Sequence, residues 1–184
     1  ISEVGVKGIK VDFFDTDKQR IIQLYPALLK DAADNHLLVD LHGATLPRGF
    51  ERTYPNMLTT EAIRGAETLG RQERCDQAAK HNATVPFTRN LVGSMDYTPV
   101  TFSDKVRQGV PAIRKTTMGH QLALAVVFES GFQCFADKAE SYLSLPEQPK
   151  QFLKEVPAAW DESLLLAGYP ADYAVVARRS GDVW

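Results

Sequence analysis

Hydrophobic residues fall along this chain in short continuous runs, each followed by a polar segment or by apolar positions at helical spacing. Residues 4–14 (VGVKGIKVDFF) are rich in β-branched and aromatic side chains and predict a buried strand. From Lys18 to Asn35 the positions Ile21, Ile22, Leu24, Tyr25, Leu28, Leu29 and Ala32 repeat at helical spacing, so a helix is expected, with a kink or break at Pro26. Asp15, Thr16 and Asp17 are its candidate N-caps. Residues 37–41 (LLVDL) predict a second buried strand, which runs into a loop from His42 to Gly49. Strand, helix and strand joined by short links imply a parallel sheet.

Further on, Pro86-Phe87 and Asn90 to Pro99 predict another strand and loop, and His120 to Glu129 a helix. Phe132 to Ala136 predicts the next strand and Pro149 to Val156 a short helix, whereas Asn56 to Leu58 is too short to assign. From Trp160 onward the pattern is antiparallel β, which puts a boundary near residue 157. The fold class is α/β, with four to five βα units, just over half of a (β/α)8 barrel that would need about 250 residues.

With 44% hydrophobic and 24% charged residues, the composition is that of an ordinary globular domain. A net charge of −2 leaves no electrostatic footprint for nucleic acid, and no apolar run is long enough to span a bilayer. The last residues read as a strand, a turn and the start of another strand, as in a fragment of a longer protein. Two cysteines allow at most one disulfide; Cys134 lies in an apolar run and is expected in the core. Asn82-Ala83-Thr84 fits a glycosylation sequon.

In a barrel of parallel strands, chemistry sits at the C-terminal strand ends and in the loops that follow. Asp12, His42 and the loop from Arg52 to Glu67 meet that test. Asp12 ends the first strand two residues after Lys10, on the same face; the alternative to a catalytic role is an N-cap or a partner for Lys10. Glu61 and Glu67 are six residues apart, too far out of phase to share a helical face, but a loop can converge them. Two carboxyl groups suit glycoside hydrolysis and oxygen clusters suit calcium, while the spacing alone favours a solvated acidic loop. His42 stands between a strand and Gly43, where it could face a ligand or be structural. Asp40 reads as a pairing residue in the interior, and Asp96 to Pro99 as a turn.

Gly8 to Phe14 (GIKVDFF), Arg52 to Asn56 (RTYPN), Glu61 to Glu67 (EAIRGAE) and Thr88 to Pro99 (TRNLVGSMDYTP), in this order, resemble the family 97 glycoside hydrolases through essentially the whole chain. Val156 to Glu162 (VPAAWDE) is similar to the family's passage from barrel to C-terminal β-domain. The resemblance implies that residues 1–156 are the C-terminal part of a (β/α)8 catalytic barrel and that residues 157–184 begin a small antiparallel β-domain. It further implies a periplasmic or secreted bacterial enzyme that is calcium-dependent.

The family's inverting α-glucosidases carry a glutamate base directly after the histidine at the position of His42. Its retaining, α-galactosidase-like members have glycine there and an aspartate nucleophile on the earlier strand. Gly43 and Asp12 match the retaining branch. By resemblance Asp12 is the nucleophile, Glu67 the general acid/base and Glu61 a calcium ligand, with Glu67 close to the ion as well. Lys10, His42 and Arg52 would bind substrate, an oligosaccharide or α-galactoside. Further ligands and the cover for the open sheet are expected from the N-terminal part of the same protein, or from self-association. Alternative readings are an inverting α-glucosidase and a non-catalytic carbohydrate-binding fragment.

Overall fold

The computed structural model describes residues 2–105 and 109–184. Its centre is a parallel sheet of β1 (Gly8–Val11), β2 (Leu38–Leu41) and β3 (Met57–Thr60), in that spatial order. A single parallel bridge from Thr60 to Met95 extends the sheet beyond β3. The β1–β2 crossover is helical: α1 (Gln19–Ile22) and α2 (Leu24–Asp34) are separated at Gln23. Pro26 therefore falls in the first turn of α2, where a backbone N–H has no intrahelical acceptor and its loss costs little. The short α3 (Phe50–Thr53) links β2 to β3.

Strand period fixes what each face of this sheet carries. Ile9, Val11, Val39, Leu41 and Met57 meet Tyr25, Leu29 and Ala32 of α2 in one apolar cluster. The intervening residues Lys10, Asp12, Asp40 and His42 take the opposite face. Two further clusters complete the core. One packs α4 (Gln72–Asn82) and α5 (Met118–Val127) around Cys75, Met95, Tyr97 and Phe128; the other joins Val100, Phe102, Ala125 and Leu145. The helices α6 (Ala139–Leu143) and α7 (Glu147–Glu155) follow, and then an antiparallel hairpin of β4 (Glu162–Tyr169) and β5 (Tyr173–Arg179). The hairpin leans on the α5 end, where Arg178 donates to the Val127 carbonyl at 3.2 Å and stacks 5.7 Å from the Trp160 ring.

Several expectations are corrected. β1 is half exposed rather than buried, because it pairs only with β2 and keeps an open edge among the described residues. Residues 85–87 and 89–92 are 3-10 turns, and the expected 90–99 strand shrinks to the Met95 bridge. Residues 132–136 form no strand; Ala136 N–H donates to the Pro99 carbonyl at 2.9 Å as an isolated bond. The unassigned segment near Met57 is strand β3. None of Asp15, Thr16 and Asp17 is the N-cap: Lys18 occupies that position without a side-chain cap. Cys75 and Cys134 are both free thiols, and Cys134 is only half-buried. Asn82 is 3% exposed and bonded to Tyr97 and His120, so the sequon offers no accessible amide for a glycan.

Candidate active site

The C-terminal ends of β1, β2 and β3 are stitched together by backbone bonds: His42 N–H donates to the Val11 carbonyl and Glu61 N–H to the Leu41 carbonyl, both at 2.8 Å. This brings the residue after each strand into one place. His42 lies at the centre, buried. Its Nδ1 is 3.3 Å from Asp12 Oδ2 and 3.2 Å from Glu61 Oε2; its Nε2 is 4.0 Å from Glu67 Oε1 and 3.8 Å from Asp96 Oδ2. A proton on Nδ1 faces two carboxylates, which favours that position for it. Asp12 and Glu67 thus approach opposite nitrogens of a single ring, Glu67 with its side chain 63% exposed.

After β1 the chain turns sharply. Phe13 and Asp15 take left-handed backbone (φ 66° and 51°), Phe13 N–H donates to Asp12 Oδ1 at 2.6 Å, and Asp15 N–H to the Gly43 carbonyl at 2.8 Å. The turn presses Asp12 against Gly43. A Cβ at residue 43 would lie 2.9 Å from Asp12 Oδ1 and 3.0 Å from Phe13 N, and Gly43 itself is left-handed at φ 52°. Glycine is the residue that leaves room for Asp12. Gly43 N–H also donates to Glu61 Oε2 at 2.8 Å, so it positions that carboxylate too.

The segment carrying Glu61 and Glu67 hangs on Arg89, which is 6% exposed and forms no salt bridge among the described residues. Its guanidinium donates to the carbonyls of Thr60, Glu61, Ala62, Gly93 and Ser94 at 2.9–3.3 Å. Burial pulls its pKa down to about 10, opposed by the charges of Glu129 and Glu51. Glu67 begins on the far side of Gly65, whose Cβ position lies 2.8 Å from the Tyr97 carbonyl, and Ala66 N–H donates to that carbonyl at 2.9 Å.

Beneath His42 are Lys10, Asp40 and Asp96. Lys10 Nζ donates to Asp96 Oδ2 at 3.1 Å and stands 4.0 Å from Asp40 Oδ2. Burial pulls the Lys10 pKa down, but the hydrogen bond and charge of Asp96, with the charge of Asp40, outweigh it and the net movement is upward. Asp40 is pushed up to about 8, first by burial and then by the neighbouring Asp96. Among the sequence-predicted site residues, Lys10, Asp12, His42, Glu61 and Glu67 come together. Arg52 is exposed on α3 and makes no side-chain bond to this group among the described residues. Arg89 and Asp96 were missed as site residues, although both lie in a quoted motif. Their roles come from contacts far apart in sequence, and only an arginine amid uncharged neighbours hinted at one of them.

Ligand atoms of His42, Glu61 and Glu67 lie within 4.8 Å of one another. Calcium takes oxygen donors. The two glutamates fit it, whereas the imidazole nitrogen does not, so this chain offers two carboxylates to such an ion.

Residues 1–63 match the family model described as Glycoside hydrolase 97. The chain is 42% identical over 180 residues to a probable retaining alpha-galactosidase of Streptomyces bingchenggensis, covering 98% of this chain and 26% of that protein. It is 38% identical over 195 residues to the retaining alpha-galactosidase of Bacteroides thetaiotaomicron, covering 100% of this chain and 28% of that protein. It therefore spans about a quarter of these relatives. Among solved structures, that of a beta-arabinopyranosidase superposes with a TM-score of 0.91 at 41% identity, covering 97% of this chain and 29% of the other.

Proposed function

For a chain that belongs to glycoside hydrolase family 97, we propose that Asp12 and Glu67 are the two carboxyl groups of a retaining exo-α-glycosidase acting on terminal α-galactosides. One observation carries the choice of mechanism: Gly43 and Asp12 are packed so closely that a side chain at 43 would push the Asp12 carboxylate from its place. A base at residue 43, as the inverting reading requires, would collide with Asp12.

In this reading the parallel sheet is part of a (β/α)8 barrel within residues 1–156, and residues 157–184 open a C-terminal β-domain. The parallel order and the TM-score of 0.91 support it. The sugar lies over the strand ends with its anomeric carbon towards Asp12. Asp12 attacks that carbon while Glu67 protonates the departing oxygen, giving a covalent glycosyl-enzyme. Glu67 then takes a proton from water, which displaces Asp12 from the opposite face. Glu61 and Glu67 would hold calcium, which when bound supplies positive charge beside the acid/base. Lys10 and His42 hold sugar hydroxyls, and Arg52 reaches the outer part of an oligosaccharide.

The test is hydrolysis of an aryl α-galactoside by the natural polypeptide that carries this chain, followed by NMR. Initial release of α-galactose supports double displacement; initial β-galactose gives inversion. Binding without turnover leaves a carbohydrate-binding module. A second substrate reading rests on the structural likeness to a beta-arabinopyranosidase. A β-L-arabinopyranoside has the ring configuration of an α-D-galactoside without the C6 hydroxymethyl group, so the matching aryl pentoside belongs in the same assay.

A further inference from the structure

Two buried aspartates lie under the reacting pair, and the mechanism above assigns no step to either. Asp40 is 5% exposed and Asp96 2%. Both are within 4.0 Å of one ammonium, that of Lys10. Three of their four oxygens, both of Asp40 and Oδ1 of Asp96, have no donor among the described residues. Two carboxylates sharing one cation leave an unbalanced negative charge in a water-poor site, which is costly. One proton removes the imbalance and supplies the missing donor, because a protonated carboxyl can donate to a carboxylate.

We propose that Asp96 is the positioning residue of this site, with Asp40 neutral and donating its proton to Asp96, so that the pair carries one negative charge that holds Lys10 beneath the His42 ring. The geometry has Asp96 Oδ2 at 3.1 Å from Lys10 Nζ and 3.8 Å from His42 Nε2. Asp96 follows the Met95 bridge, so its carboxylate is anchored to the sheet edge next to β3. The groups facing the pair are Lys10 on β1, His42 after β2, Glu61 after β3 and the Cys134 thiol. Burial and the Asp96 charge raise the Asp40 carboxyl, while Lys10 opposes them.

The consequence for the proposed reaction is a one-charge platform at neutral pH. As Asp40 ionises near pH 8, a second charge appears beside the Lys10 ammonium and competes more strongly with the substrate for it. This inference rests on the glycosidase reading for its kinetic arm only, since its spectroscopic arm needs no substrate.

The experiment uses the full natural polypeptide. Infrared difference spectra at neutral pH are expected to show the carbonyl stretch of a buried protonated carboxyl, fading as pH rises through about 8 and absent in Asp40→Asn. In Asp96→Asn, kcat/KM for an aryl α-galactoside should fall about a hundredfold, the scale of a misplaced binding group. Asp40→Leu, which removes the donor, should lose more activity than Asp40→Asn, which keeps one. The alkaline decline of kcat/KM near pH 8 should disappear in Asp40→Asn. No protonated-carboxyl band in the wild type, a band that survives Asp40→Asn, or a folded Asp96→Asn with undiminished kcat/KM would overturn the proposal. A band with the expected behaviour in a protein that cleaves no glycoside would uphold the pair and remove the proposed reaction instead.

Discussion

The two faces of the parallel sheet use alternate residues of the same strands for opposite ends. Val39 and Leu41 turn towards α2, where Tyr25 and Leu29 close over them almost without exposure. Asp40 and His42, their immediate neighbours, turn the other way, into a cluster of carboxylates where buried oxygens lack donors. Every group on the first face gains from burial. On the second, the electrostatic arrangement has to be held in place by the first face, by the Arg89 clamp and by the paired strand ends. Stability and chemistry are thus separated by one residue of register, and a slip of one position would exchange them.

That separation can be broken most severely on the chemical side. Asp12→Gly is expected to lower turnover of α-galactosides by at least roughly four orders of magnitude while leaving the thermal unfolding midpoint little changed. Azide should restore cleavage of an activated substrate and give a β-glycosyl azide by a single displacement. Glu67→Gln with azide should give the α-glycosyl azide, because two inversions return the starting configuration. The same anomer from both variants would show that the two carboxyl roles are wrongly assigned.

The opposite experiment is Leu29→Ala on the apolar face. It should cost about 2–5 kcal/mol of stability, read from denaturant unfolding, with kcat per folded molecule retained. A loss of kcat in the fully folded fraction would mean that the faces are not separable.

Gly43→Ala tests the contact between the turn after β1, which carries Asp12, and the turn after β2. A methyl group 2.9 Å from Asp12 Oδ1 must displace that carboxylate, and activity should fall by roughly a hundredfold with only a modest change in unfolding midpoint. Wild-type kinetics in this variant would remove the steric argument for retention.

A last test sharpens the comparison through pH. The Asp40 pKa rises from 3.8 to about 8 on folding, so between those values the native state holds a proton that the unfolded state has released. This contribution is fully present below 3.8, falls as pH rises through the window and is gone above about 8. Asp40→Asn should flatten that part of the stability–pH curve; an unchanged slope would show that Asp40 is ionised in the native state.

Much of this was legible in the sequence wherever the cause is local. The β2 run, the α2 stripe and the break near Pro26 follow from residues within one element. Placing Asp12 and His42 needed only strand ends and parallel order. The rest depends on partners distant along the chain. β3 is four residues long and owes its strand form to β2, with which Thr59 and Thr60 pair. The segment 132–136 has strand-like composition, yet Gly131 lies so close to the Leu58 carbonyl (2.7 Å from its Cβ position) that the chain passes there without a regular ladder. Asp40 and Asp96 are 56 positions apart, and Arg89 reaches carbonyls on both sides of a turn. No pattern in a single segment encodes those meetings.

The tight fit of Gly43 against Asp12 also constrains how such a protein can change over generations. A lineage exchanging the proposed nucleophile for a base at residue 43 must replace two residues, and neither order is easy. Introducing the side chain first drives it into the aspartate, while removing the aspartate first leaves no attacking group. Each single step descends into a fitness valley, so the two reaction stereochemistries are expected to persist as separate lineages instead of interconverting freely.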